Sequence, residues 1–240
     1  MQNIFITGTD TNIGKTFITA GLAATMQSLG YSTGVYKPVQ SGAIEKQGLM
    51  RAPDLDFVSS FDSYIKTQSS YLLKEPTAPS IAAELEHVLI DKKVIKKDYM
   101  SFSKQNDCTI VEGAGGLMVP VAPNFLIQDM IKMLDLPIVI VIRPDLGTVN
   151  HTLLTINQAI SSGIKVRGVI INNFPENTND ISIKSAPRLI EEYSDTKVLG
   201  IVKHFNDINK INPNDLITTI LNGIDIESVF DVSIARLNVE

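Results

Sequence analysis

Nine residues near the start of the chain constrain its architecture more than any others: Gly8-Thr9-Asp10-Thr11-Asn12-Ile13-Gly14-Lys15-Thr16. They follow a short apolar run, Ile4 to Thr7, that reads as a strand. They lead into a stretch from Lys15 to Leu29 in which Ile18, Leu22, Ala23, Met26 and Leu29 recur near helical spacing, with Gly30 as the stop. A glycine-containing loop between a strand and a helix is an anion cradle, because successive backbone N–H groups and the helix N-terminus point to one place. Glycine also lets the backbone approach a ligand closely. In such a loop Lys15 pairs with β- and γ-phosphate oxygens, and the Thr16 hydroxyl ligates Mg²⁺. The spacing departs by one from the usual pattern: five residues, not four, separate Gly8 from Gly14-Lys15-Thr16. The strand–loop–helix setting distinguishes this reading from an ordinary helix start.

The rest of the chain repeats the same alternation. Strands are expected at Thr33 to Lys37 (ended by Pro38), Cys108 to Glu112, Pro137 to Ile142, Val166 to Asn172 and Val198 to Val202. Helices are expected near Pro79 to Leu89, Leu126 to Leu134, Val149 to Ser162 and Ile183 to Tyr193. Apolar strands without alternation, separated by helices, predict an α/β fold: a three-layer, P-loop NTPase type with a mostly parallel central sheet covered by helices on both faces. Ligands in such folds sit beyond the carboxyl ends of the strands. Glu45 to Ser70 reads as a polar, irregular surface excursion. No repeat or linker divides the chain, so residues 1–240 are expected to form one domain, with a weakly helical tail at 206–240 of no assigned role.

Composition narrows the function classes. The net charge is −5, and a non-specific nucleic-acid binder carries a basic excess instead. The longest apolar stretch, Leu136 to Ile142, is too short to cross a bilayer. A single cysteine, Cys108, and a start without a basic leader fit a cytosolic setting. His87, His151 and His204 lack metal-ligand spacing with Cys108.

A Mg²⁺·ATP site needs hard oxygen ligands. Glu112 ends an apolar strand and precedes Gly113-Ala114-Gly115-Gly116, the place of a metal-binding strand-end carboxylate. Asp54, in Arg51-Ala52-Pro53-Asp54, reads from the residues alone as well or better as a helix N-cap.

Three segments together resemble the dethiobiotin synthetases: TGTDTNIGKT at Thr7 to Thr16, YKPVQSG at Tyr36 to Gly42, and VEGAGGLMVPV at Val111 to Val121. Further similar stretches are EPTAPSIAA from Glu75, DLGTVNH from Asp145 and VIINN from Val169. The resemblance implies a homodimeric, Mg²⁺-dependent enzyme that converts 7,8-diaminononanoate, CO₂ and ATP to dethiobiotin, ADP and phosphate. It implies catalytic roles for Lys37, Lys15 and Thr11. It implies a nucleotide site of Asn12, Ile13, Gly14, Lys15, Thr16, Phe17, Asp54, Glu112, Gly113, Ala114, Gly115, Asn172, Asn173 and Lys203. Thr16, Asp54 and Glu112 would ligate the metal. Thr11, Lys37 and Ser41, with Gly147, Thr148, Val149 and Asn150 at a helix start, would bind substrate, the last four from the partner subunit. Lys203 stands where the family usually has proline, and Ser80 where it often has histidine.

Two rivals remain. A ParA- or MinD-like ATPase switch usually carries an extra lysine early in the loop, where this chain has Thr9 and Asp10, and many use a basic surface or tail to reach DNA or membrane. A cobyrinic acid amide synthetase-like enzyme needs a glutamine-hydrolysing domain with a reactive cysteine, whereas Cys108 falls inside a predicted buried strand.

Overall fold

The computed structural model describes residues 1–234 of the chain. In chain order the elements are β1 (Ile4–Gly8), α1 (Lys15–Ser28), β2 (Thr33–Ser41), β3 (Ile44–Lys46), β4 (Leu49–Arg51), α2 (Pro53–Phe61), β5 (Lys66–Leu73), α3 (Pro79–Leu85) and α4 (Lys92–Ser103). There follow β6 (Cys108–Glu112), β7 (Pro120–Ala122), β8 (Phe125–Leu126), α5 (Ile127–Leu134), β9 (Ile138–Ile142), α6 (Thr148–Ser161), β10 (Val166–Phe174), α7 (Ile181–Ser194), β11 (Val198–Lys203), α8 (Pro213–Gly223) and α9 (Ile226–Phe230).

Seven strands form one sheet in the order β11-β10-β9-β1-β6-β2-β5, and every neighbouring pair is parallel. Strand side chains alternate between faces. Ile4, Ile6, Val35, Val139 and Val141 pack with α1, α2, α8 and α9 on one face. Phe5, Tyr36, Ile138, Ile140 and Ile142 pack with α3 to α7 on the other. Both faces are covered, which is why these strands read as continuous apolar runs.

Four sequence expectations need correction. Glu45 to Ser70 is not irregular: it holds the β3–β4 hairpin, α2 and half of β5. β5 is the edge strand, so its polar run Lys66-Thr67-Gln68-Ser69-Ser70 is only half-buried. Ser70 hydrogen-bonds Tyr36 Oη at 2.6 Å and donates to Asp98 at 2.6 Å. β2 does not stop at Pro38. Its pairing with β6 ends at Tyr36 while that with β5 runs on to Ser41, so beyond Tyr36 no β6 ladder bond is lost to the missing proline N–H. The helix from Pro79 ends at Leu85, and His87 follows with φ of 54°. Finally, α4 was not expected. It is capped by Asp91, which accepts from Lys93 N at 2.7 Å, and buries Ile95, Tyr99 and Phe102 at helical spacing.

The tail also takes a definite place. Asn212 caps α8 by accepting from Asp215 N at 2.9 Å. Leu216 and Ile220 then pack onto α1, so closely that a Cβ on Gly21 would lie 2.6 Å from Ile220. Residues 235–240 of the expected tail lie outside the described residues.

Candidate active site

β1 stands between β6 and β9, and β6 separates β1 from β2. This order explains why motifs far apart in sequence converge. The phosphate loop leaves β1, Glu112 ends β6 and Lys37 lies on β2 just beyond its pairing with β6.

Gly14 is the first of two backbone requirements here. It caps α1 with φ of 89°, and a Cβ there would lie 2.0 Å from Asn172 Nδ2. The second is Gly116, where a Cβ would lie 3.0 Å from the Gly8 carbonyl, so the loop after β6 packs directly on the phosphate loop. Lys15 is buried, 8% exposed, yet its ammonium meets no carboxylate and donates to the Asp10 carbonyl at 2.8 Å. Burial lowers its pKa from 10.5 to about 8; Glu112 opposes that shift, and Lys37 reinforces it. The loop thus holds a desolvated cation that forms no ion pair among the described residues.

The charge cluster beside it is fully knit. Glu112 is 1% exposed, and its Oε1 accepts from Thr16 Oγ1 and from Lys37 Nζ, both at 2.8 Å. Lys37 also donates to Asp54. Burial alone would push the Lys37 pKa down, but Glu112 and Asp54 together push it up, and the net shift is upward. Asp54 is not the helix cap, because Ala52 holds the N-cap position of α2; its carboxylate turns to Lys37 instead. Glu112 Oε2 is buried with no hydrogen-bond partner. That orphaned oxygen, beside Thr16 and Asp54, is the donor set a hard divalent cation takes. Among the described residues no group of three or more His, Cys, Asp or Glu could hold a metal alone.

On the β2 side, Ser41 Oγ is buried and unpartnered, while Gln40 Nε2 donates to the Ser41 carbonyl at 2.7 Å. Thr11 is exposed, and Asp10 Oδ1 accepts from its N–H at 2.7 Å. Gly147 caps α6 with φ of 96°. Thr148 is buried and donates to the Arg143 carbonyl at 2.6 Å, Val149 is half-buried, and Asn150 is exposed. Among the described residues no hydrogen bond or ion pair joins Gly147, Thr148, Val149 or Asn150 to Lys37, Ser41 or Asp54.

Beyond β9 the structure is more open. Asn172 is buried and donates to the Ile13 carbonyl at 3.0 Å. Asn173 has φ of 64° and hydrogen-bonds His204. Lys203 Nζ lies 5.5 Å from the centre of the Phe205 ring, which packs 5.6 Å from Phe17. Sequence reasoning did not single out Arg143, Gln40 or Phe205; position just past or within a strand end is the signal that would have found them.

Comparison with known proteins agrees with this geometry. A family profile described as an AAA domain matches residues 2–212. ATP-dependent dethiobiotin synthetase BioD of Methanococcus vannielii is 39% identical over 213 residues, covering 87% of this chain and 99% of its own length. The proteins of the same name from Anoxybacillus flavithermus and Bacillus licheniformis are 37% and 34% identical, covering 87% and 96% of this chain and 95% and 97% of their own lengths. Among solved structures, the MinC:MinD cell division complex of Aquifex aeolicus matches with a TM-score of 0.60 at 14% identity, over 98% of this chain and 99% of that one. Likeness at that identity shows a shared fold.

Proposed function

The chain belongs to the ATP-dependent dethiobiotin synthetase family, and from that premise we propose that it closes the ureido ring of dethiobiotin from 7,8-diaminononanoate, CO₂ and ATP. The observation that carries this reading is the pair of buried lysines, Lys15 and Lys37, that both feel the Glu112 carboxylate. A ParA- or MinD-like switch would carry its extra lysine early in the loop, where this chain has Thr9 and Asp10. A second buried cation on β2, upstream of an uncommitted serine hydroxyl, suits a second anionic reactant, which a carbamate is.

The reaction runs in three steps. CO₂ adds to one amine and a proton leaves, giving a carbamate. A carbamate oxygen attacks the γ-phosphorus and ADP departs, leaving a carbamic-phosphoric anhydride. The second amine attacks the carbamoyl carbon, the ring closes and phosphate is expelled. In-line phosphoryl transfer needs positioning and charge stabilisation more than covalent help. Lys15 supplies positive charge at the β- and γ-phosphates, and Lys37 supplies it at the carbamate. Thr16, Glu112 and Asp54 would hold Mg²⁺, which when bound neutralises charge on the phosphate oxygens. Thr11 and Ser41 would orient the substrate, and Asn172, Asn173 and Lys203 would lie toward the base.

We also propose a homodimer in which the first turn of α6 receives the partner's substrate carboxylate, since a helix N-terminus suits an anion. Leu146, Leu154 and Ile160, on and beside α6, are 86%, 61% and 55% exposed, which supports a covering subunit. A monomer under assay conditions would remove the shared site.

The function is tested by phosphate release. It is expected to need ATP, diaminononanoate and bicarbonate together. Turnover of ATP that ignores the diamine and bicarbonate would favour the switch-type rival.

A further inference from the structure

We infer that Arg143 is a positioning residue for the nucleotide, acting by neutralising Asp10, a carboxylate built into the phosphate loop. This rests on the reading that the loop holds ATP.

Asp10 is an odd residue for an anion cradle. Its Oδ1 accepts from Thr11 N at 2.7 Å and from Thr11 Oγ1 at 3.4 Å, and its main-chain carbonyl accepts from Lys15 Nζ at 2.8 Å. The carboxylate therefore shapes the loop, but its charge stands where a triphosphate must come. Its field already reaches the Lys15 ammonium. Uncompensated, it repels the ligand the loop is shaped to take.

Compensation comes from the next strand. β9 pairs with β1, Gly8 opposite Val141, and Thr9 N donates to the Val141 carbonyl at 3.3 Å. Arg143 lies just past the end of β9. Its Nη2 lies 3.2 Å from Asp10 Oδ2, and its Nε lies 3.4 Å from Asp145 Oδ2. Asp145 on the far side tethers the guanidinium, whose planar fork can serve both carboxylates at once. The three side chains are 42%, 55% and 57% exposed, and ion pairs this open add little to stability. Their effect falls on the incoming anion, whose several charges each feel an unpaired Asp10.

The test is direct binding of Mg·ATP to the full-length protein by calorimetry. R143Q is expected to weaken binding roughly tenfold, as one nearby unpaired charge acting on a multiply charged ligand would. Asn at position 10 keeps the acceptor for Thr11 N–H and loses only the charge. The double variant D10N/R143Q should therefore return to within about threefold of wild type, and R143K, which keeps the charge but cannot span both carboxylates, should fall between R143Q and wild type. Raising salt from roughly 0.05 M to roughly 0.5 M should narrow the gap between R143Q and wild type. Melting temperatures should barely move. A double variant as weak as R143Q would mean that Arg143 touches the phosphates itself or merely ties the loop down, and the inference fails. It fails equally if R143Q binds as wild type does. A wild-type protein that binds no ATP would instead overturn the nucleotide reading, and this inference with it.

Discussion

Lys15 and Lys37 are 8% and 5% exposed, whereas Asn173, Lys203 and His204, at the same edge of the sheet but beyond β9, lie open to solvent. The phosphate side places full charges in a desolvated setting, where each interaction is worth several times its value in water. The proposed base side relies on one buried amide, Asn172, and on the tilted ring pair of Phe17 and Phe205. The contrast follows from the ligand: phosphoryl transfer develops charge and rewards preorganised cations, while a purine ring offers an apolar face and a few polar atoms. Substitutions on the phosphate side should then damage chemistry, and those on the base side should shift affinity and selectivity.

Lys15→Ala tests the first half and carries the largest expected effect. Turnover should fall by about a thousandfold or more, because the variant lacks the cation aimed at the transferring phosphoryl group. Stability should respond in the opposite sense. Burial holds the Lys15 pKa at about 8 against 10.5 in the unfolded chain, so below pH 8 this group opposes folding. As pH rises from 8 to 10.5 the unfolded chain binds the proton and the folded chain does not, so wild type gains stability relative to the variant. Denaturant melts across that window, in metal- and nucleotide-free protein, give the sign. A folded variant with undiminished turnover would dissolve the contrast at its strongest point.

The same contrast separates what was legible in the sequence from what was not. The loop from Gly8 to Thr16 and the acid ending β6 were legible because strand, glycines and charge occur within a few residues. The β9 strand was legible because it is apolar on both faces. β5 was not, because an edge strand with half-buried polar residues has the composition of a loop. α4 was missed although Ile95, Tyr99 and Phe102 carry the period, since its four lysines dominate the stretch. Lys37 could be named as a second cation, but its pairing with Asp54 and Glu112 depends on strand order, which local pattern does not specify. Arg143 and Asp10 lie 133 residues apart, and only the β1–β9 pairing brings them together.

Asn172→Ala should act in between. The side chain buttresses the phosphate loop through Ile13 and packs against Gly14, and on the proposed reading it also lies toward the base. Losing one buried hydrogen bond removes about 1 kcal/mol, so the KM for ATP should rise roughly fivefold with kcat changed less. The ratio of kcat/KM for ATP over GTP should fall as well. A kcat loss as deep as that of Lys15→Ala, with no change in that ratio, would make Asn172 part of the phosphate machinery and blur the boundary between the sides.

Lys203→Ala is the smallest effect and the sharpest probe of the open side. The ammonium rests over the exposed end of an aromatic pair, and an exposed cation–π contact is worth only about 0.5–1 kcal/mol. Removing it frees the Phe205 face without unburying a charge. The KM for ATP should therefore change by less than about fivefold, and kcat should not change. Steady-state kinetics with ATP varied against saturating diamine and bicarbonate would measure both. A shift beyond tenfold would mean that Lys203 acts on the nucleotide through its full charge. The base side would then be electrostatically tuned like the phosphate side, despite its exposure to water.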